Sequence, residues 1–207
     1  MVVTDKSKTK TNSNTPMKKS KKGKKDFSLK LPIGFDVETE IDDVNLILPK
    51  TKTSGALFLG NYKIAKNSDF FKKNKIKAVL NCTRDLDNTF QCKTGFDVEY
   101  IRIPLEDDHK KKSIELMTKY FELAVNFIYT HHVLRKENVL VHCVAGRSRS
   151  FACVVAYIMK FLKLNYADAI KFVLTKRIES AWYGTSVNFL DSLEEYSKIL
   201  RSPTRTK

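Results

Sequence analysis

His142-Cys143-Val144-Ala145-Gly146-Arg147-Ser148-Arg149-Ser150 places a cysteine, a glycine three residues on and an arginine six residues on within one short segment. Such a set can enclose a single phosphate. The apolar run Val139-Leu140-Val141 before it reads as a strand, and residues 151 to 161 after it read as a helix. If the intervening loop curls about its centre, the backbone N–H groups of Val144, Ala145, Gly146, Arg147, Ser148 and Arg149 point inward. The helix then adds its positive end at the same spot. Cysteines at a helix N-terminus beside arginine have pKa values of roughly 3.5 to 7.5 rather than about 8.5, so Cys143 is the expected thiolate nucleophile. Arg149 offers a planar fork for two phosphoryl oxygens. Gly146 lets the backbone turn without a side chain in the way. Ser150 is placed to donate its hydroxyl to the Cys143 sulfur, and His142 supports the nucleophile from the strand.

Taken singly, these residues have ordinary readings: a cysteine after Val-Leu-Val is an inert core thiol, and Ser-Arg-Ser is solvated surface. In this order, between a strand and a helix, they point together to a phosphate-binding nucleophile. Hydrolysis of a phosphate monoester by this route also needs a proton for the departing oxygen, hence a carboxylic acid on a neighbouring loop. Ile103-Pro104-Leu105-Glu106-Asp107-Asp108-His109 supplies the candidates. It follows Val98 to Ile103, which alternates like a strand, and precedes a helix beginning near Ser113.

From these residues the chain resembles the dual-specificity protein phosphatases of the cysteine-dependent superfamily. The resemblance runs roughly from Ser54 to Leu200. Ala56 to Asn61 is similar to the family's opening strand, Ile76 to Thr83 to the strand after its first helix, and Val141 to Ser150 to its phosphate loop. Asp107 occupies the position of the general acid, with Asp108 as a second candidate. One departure stands out. The family usually carries a late Pro-Asn element that supports the phosphate loop, whereas this chain reads Ser180-Ala181-Trp182-Tyr183-Gly184-Thr185-Ser186-Val187-Asn188-Phe189. Ser186 and Asn188 are alternative substitutes, and Trp182 and Tyr183 read as packing residues or as shapers of the site.

With 207 residues, 42% of them hydrophobic, the chain can bury one core. The organisation expected is a disordered lysine-rich tail and acidic linker over residues 1–45, a catalytic domain over 46–200 and a C-terminal tail over 201–207. The first 30 residues hold ten lysines against Asp5 and Asp26, and so carry +8 of the formal +15. The run Lys18 to Lys25 reads first as a nuclear import signal, with acidic-lipid contact and plain solubilisation as alternatives. Lys24 and Lys25 followed by Phe27, Leu29 and Leu31 resemble a docking peptide for mitogen-activated protein kinases. No nucleic-acid recognition motif accompanies the lysines. There is no long apolar span or secretory signal, and Val2 after Met1 excludes N-myristoylation, so a soluble protein of the cytoplasm, the nucleus or both is expected.

Four cysteines, Cys82, Cys92, Cys143 and Cys153, lack zinc-ligand spacing. The chemistry calls for no metal or organic cofactor. Each of the other three is a candidate partner for an oxidised Cys143, and each also reads as a packing residue.

The elements that must hold this site follow from periodicity. Asn67 or Ser68 caps a short helix through Phe71, and Ile114, Met117, Phe121, Ala124 and Ile128 mark an amphipathic helix over residues 113–131. Ser150 to Leu162 is apolar nearly all round, a further helix runs from Asn165 to about Arg177, and Val187 to Leu200 forms the last. The fold expected is α/β: a central, mostly parallel twisted sheet of four to five strands flanked by helices, with an antiparallel edge from the opening hairpin.

The function expected is hydrolysis of phosphotyrosine and phosphoserine or phosphothreonine in proteins through a cysteinyl-phosphate. The alternatives are a phosphoinositide or RNA 5′-phosphatase, for which Arg147 adds a rim charge, and a non-catalytic phosphoprotein-binding scaffold.

Overall fold

The computed structural model describes residues 42–108, 110–177 and 187–202. They form a five-stranded sheet of β1 (Val44–Leu48), β2 (Leu57–Gly60), β3 (Ile76–Asn81), β4 (Glu99–Arg102) and β5 (Asn138–His142). The spatial order is β1-β2-β5-β3-β4, so β5 lies at the centre. Only β1 pairs antiparallel, with β2; the β2–β5, β5–β3 and β3–β4 pairs are parallel. The expected antiparallel edge is therefore present. It begins earlier than the sequence suggested, because Val44 and Asn45, assigned to the acidic linker, already belong to β1.

The α-helices among the described residues are α1 (Ser68–Lys73), α2 (Lys111–Tyr129), α3 (Arg149–Phe161), α4 (Tyr166–Leu174) and α5 (Val187–Arg201). The side chain of Asn67, not Ser68, caps α1 by accepting from Phe70 N at 2.9 Å. Asn165 caps α4 in the same way through Asp168 N at 3.0 Å. The fourth helix stops at Leu174, so Arg177 lies beyond its end, and Arg201, assigned to the tail, closes α5.

Strand alternation sends the sheet's side chains to two different layers. Phe58, Val79, Tyr100 and Leu140 face a cluster with Ile64, Phe71, Phe90 and Phe96. Its rings meet at centroid distances of 4.5 Å for Phe71–Phe90 and 4.2 Å for Phe90–Phe96. Leu57, Leu59, Ala78, Leu80, Val139 and Val141 alternate with these, and all are fully buried. On their side α3 packs on β5 and β2, while α2 packs on β3 and on α3. The apolar surround of α3 is thus explained: every residue from Phe151 to Met159 is buried. No helix among the described residues is long and apolar enough to cross a membrane.

Candidate active site

Parallel pairing brings the carboxyl ends of three strands to one edge, with Gly60 and Asn81 both in register with His142. The loops that follow β2, β3 and β5 therefore converge, as does the acid loop after β4. Open parallel sheets bind their ligands at this kind of edge.

The segment from Cys143 to Ser148 closes into a cup. Its turn is made at Gly146, where φ is +71°, a value that favours glycine. A Cβ there would also lie 2.5 Å from the Gly60 carbonyl oxygen. The Gly146 N–H donates to Cys143 Sγ at 3.2 Å, and Ser150 Oγ donates to the same sulfur at 3.1 Å. Two donors from the loop and from α3 are thus aimed at one sulfur. Cys143, Arg149 and Ser150 are buried, and α3 begins at Arg149, so its positive end faces the cup. Val144 and Ala145 turn their side chains outward.

Arg149 joins the cup to the acid loop. Its Nη1 donates to the Leu105 carbonyl at 3.0 Å, and its Nε lies 3.5 Å from Asp107 Oδ2. Ser148 Oγ donates to the other oxygen of Asp107, Oδ1. Asp108 faces elsewhere. It pairs with Lys110 Nζ at 3.0 Å, and its carboxyl is held below the usual range by hydrogen bonds from Ser113 and then Lys110. Of the two adjacent aspartates, the structure brings only Asp107 to Arg149.

His142 is buried beneath the cup, with Nδ1 3.4 Å from the Cys143 carbonyl oxygen. Burial pushes its pKa down to about 4, and the charge of Arg102 adds to the effect. The ring is therefore neutral at neutral pH. Arg147 is not the rim charge the sequence suggested: it is only 9% exposed. Cys82 and Cys153 are fully buried and lie beside each other, Sγ to Sγ 3.7 Å, whereas Cys92 is exposed. Burial, and next the hydrogen bond with Cys153, push the Cys82 thiol well up, and the Cys143 charge acts in the same direction.

The residue that sequence reasoning missed is Arg177. It is completely buried. Its Nε donates to the Gly146 carbonyl at 2.8 Å, Nη2 to the Ala145 carbonyl at 3.4 Å and Nη1 to the Asp42 carbonyl at 3.2 Å. Nη1 also donates to Asn45 Oδ1. A guanidinium thus braces the back of the cup, a supporting task for which the sequence offers Ser186 and Asn188. Ser186 lies outside the described residues together with Trp182 and Tyr183, and Asn188 sits in the first turn of α5. A second brace comes from the β2 end, where Tyr62 N donates to the Val144 carbonyl at 3.0 Å. Nothing local marks Arg177 out from the lysines around it; its partners at the cup lie 31 and 32 residues away in sequence.

Residues 57–199 match the family model for the dual specificity phosphatase catalytic domain. Human dual specificity protein phosphatase 22 is 32% identical over 155 residues, covering 75% of this chain and 74% of that protein. Human dual specificity protein phosphatase 7 is 34% identical over 144 residues, which cover 70% of this chain but 32% of that longer protein. The chain thus spans about a third of the length of several curated relatives. Among solved structures, that of DUSP15 superposes with a TM-score of 0.58 at 30% identity, over 71% of this chain and 86% of that one. A human tyrosine phosphatase-like serine/threonine/tyrosine-interacting protein superposes at 0.59 with 26% identity, over 76% of this chain and 97% of that one. Over residues 57–199, from β2 to the last helix, the chain belongs to the dual-specificity phosphatase catalytic-domain family.

Proposed function

We propose that this chain is a cysteine-dependent phosphatase that hydrolyses phosphotyrosine and phosphoserine or phosphothreonine in proteins. The observation that carries the reading is the pair of hydrogen bonds from Gly146 and Ser150 onto the Cys143 sulfur, opposite an arginine that also meets Asp107. In the first step the sulfur attacks phosphorus along the line of the leaving P–O bond. Arg149 and the loop amides hold the equatorial oxygens, and Asp107 gives its proton to the departing oxygen. In the second step Asp107, now a carboxylate, takes a proton from water as that water displaces the sulfur and releases phosphate. Ser150 hydrogen-bonds the sulfur as it leaves. Neither step calls on a metal or an organic cofactor.

Protein substrates are supported by the names of the relatives, which are dual specificity protein phosphatases. Mitogen-activated protein kinases are the partner class we propose, docking through Lys24, Lys25, Phe27, Leu29 and Leu31, which lie outside the described residues. The lysine run from 18 to 25 we assign to nuclear import. A phosphoinositide reading loses its sequence argument, because Arg147 is buried rather than at the rim. A scaffold reading is favoured only by similarity to a phosphatase-like interacting protein, and Cys143, Asp107 and Arg149 are all present here. The test is a parallel assay on a doubly phosphorylated kinase peptide, a phosphoinositide and an RNA 5′-triphosphate. The reading predicts phosphate release chiefly from the peptide. Preferential release from either of the others contradicts it.

A further inference from the structure

The catalytic proposal explains why Asp107 stands beside Arg149, but not why one of its oxygens is held by the phosphate loop itself. Ser148 occupies the N-cap position of α3, where a serine hydroxyl normally accepts from an amide of the first turn. It makes no such bond. The hydroxyl is turned instead onto Asp107 Oδ1, while Oδ2 faces Arg149. The rest of the acid loop is otherwise engaged, Glu106 with Arg84 and Asp108 with Lys110, while Leu105 lends its carbonyl to Arg149. Ser148 is therefore the neutral donor that fixes the orientation of the Asp107 carboxyl.

We infer that Ser148 is a positioning residue for the general acid: it anchors Asp107 Oδ1, so that Oδ2 is the oxygen through which the proton passes. The inference rests on the phosphatase reading above. The two carboxyl oxygens have different fates when substrate arrives. Oδ1 keeps its hydroxyl donor whether or not the cup is filled. Oδ2 faces a guanidinium that the phosphoryl group engages with its own oxygens, so its cationic neighbour turns to the substrate. A proton on Oδ2 then points at the scissile P–O bond. As the S–P bond forms and the P–O bond breaks, that proton moves to the leaving oxygen. In the return step the same oxygen takes a proton from water as the P–S bond breaks and the thiolate is restored. Oδ1 stays on Ser148 throughout, so the carboxylate need not search for its position between the steps.

A positioning role of this kind has a signature that a role in folding or in the anion cup lacks. It matters in proportion to how much the leaving group needs a proton. The experiment measures kcat/KM for the wild-type chain, Ser148→Ala, Ser148→Thr and Asp107→Asn across aryl phosphates of rising leaving-group pKa. Because kcat/KM reports events up to phosphoryl transfer, it isolates the acid step. Ser148→Ala is expected to lose about tenfold with the poorest leaving group and about twofold or less with the best, the scale of one hydrogen bond to a charged partner. Ser148→Thr restores the wild-type slope, and Asp107→Asn shows the same trend more steeply. An equal loss across the series, or none, overturns the inference while leaving the phosphatase reading intact. A wild-type chain inert towards every ester overturns both.

Discussion

The phosphate loop and the acid loop meet across Arg149, yet they are held in different ways. The phosphate loop hangs from β5, a strand with parallel neighbours on both sides, and runs straight into α3. Its carbonyls at Val144, Ala145 and Gly146 are bonded from behind by Tyr62 and Arg177. The acid loop follows β4, an edge strand. It is pinned at Ile103 and Leu105, both buried, but the Asp107 side chain is 36% exposed and that of Glu106 48%. The difference matches the two tasks we propose for them. Groups that stabilise developing charge work best when fixed beforehand, since no reorganisation is then needed at the moment of reaction. A group that gives up a proton and takes another must reach water between turns. The cup is thus fixed from behind by Tyr62 and Arg177, whereas Asp107 takes its orientation, on our inference, from Ser148 of the cup.

This contrast predicts graded consequences. Cys143→Ser removes the nucleophile and should lower turnover by about 10⁴-fold or more. The cup should survive it, so phosphate or tungstate should still bind in calorimetry. Asp107→Asn leaves the cup and the nucleophile in place and should slow turnover by about 10² to 10⁴, whereas Asp108→Asn should change it little. Steady-state assays of the pair separate the two carboxylates. Arg177→Met strikes the cup from behind without touching substrate. The buried carbonyls of Ala145 and Gly146 lose their donor, so stability should fall by about 3 kcal/mol in urea unfolding and activity should fall with it. Arg177→Lys should recover only part of both, since an ammonium cannot reproduce the fork.

The last effect concerns His142 and leaves activity at neutral pH untouched. Its folded pKa of about 4 lies below the ordinary imidazole value of 6.5, so between those two values the unfolded chain binds more protons than the folded one. Stability is then fully present above that window and is lost as pH falls through it, by about 3 kcal/mol at its lower end. Urea unfolding across the window should show this slope in the wild-type chain and a flatter one in His142→Asn.

Much of this architecture was legible in the sequence wherever function or packing is local. The cup was readable because Cys143, Gly146, Arg149 and Ser150 lie within one turn of chain between a strand and a helix. The helices were readable because Met117, Phe121, Ala124 and Ile128 recur on one face. What escaped depends on distant partners. Arg177 is set apart from Lys171 and Lys176 only by burial against residues 31 and 135 positions away. Asp107 and Asp108 are chemically identical neighbours, separated by Ser148 and Arg149 on one side and by Lys110 and Ser113 on the other. The exposure of Arg147 was misjudged because a loop's curvature, not its composition, decides which side chains point out.

The central claim is that the Cys143 sulfur receives the phosphoryl group while Arg149 and the loop amides hold it. The most direct measurement is rapid quenching of Asp107→Asn during turnover of an aryl phosphate with a good leaving group, followed by mass mapping of the modified peptide. Loss of the base should slow hydrolysis of the intermediate, so phosphate should accumulate on Cys143 and nowhere else. Turnover with no covalent phosphate, or phosphate on a different residue, would contradict the account.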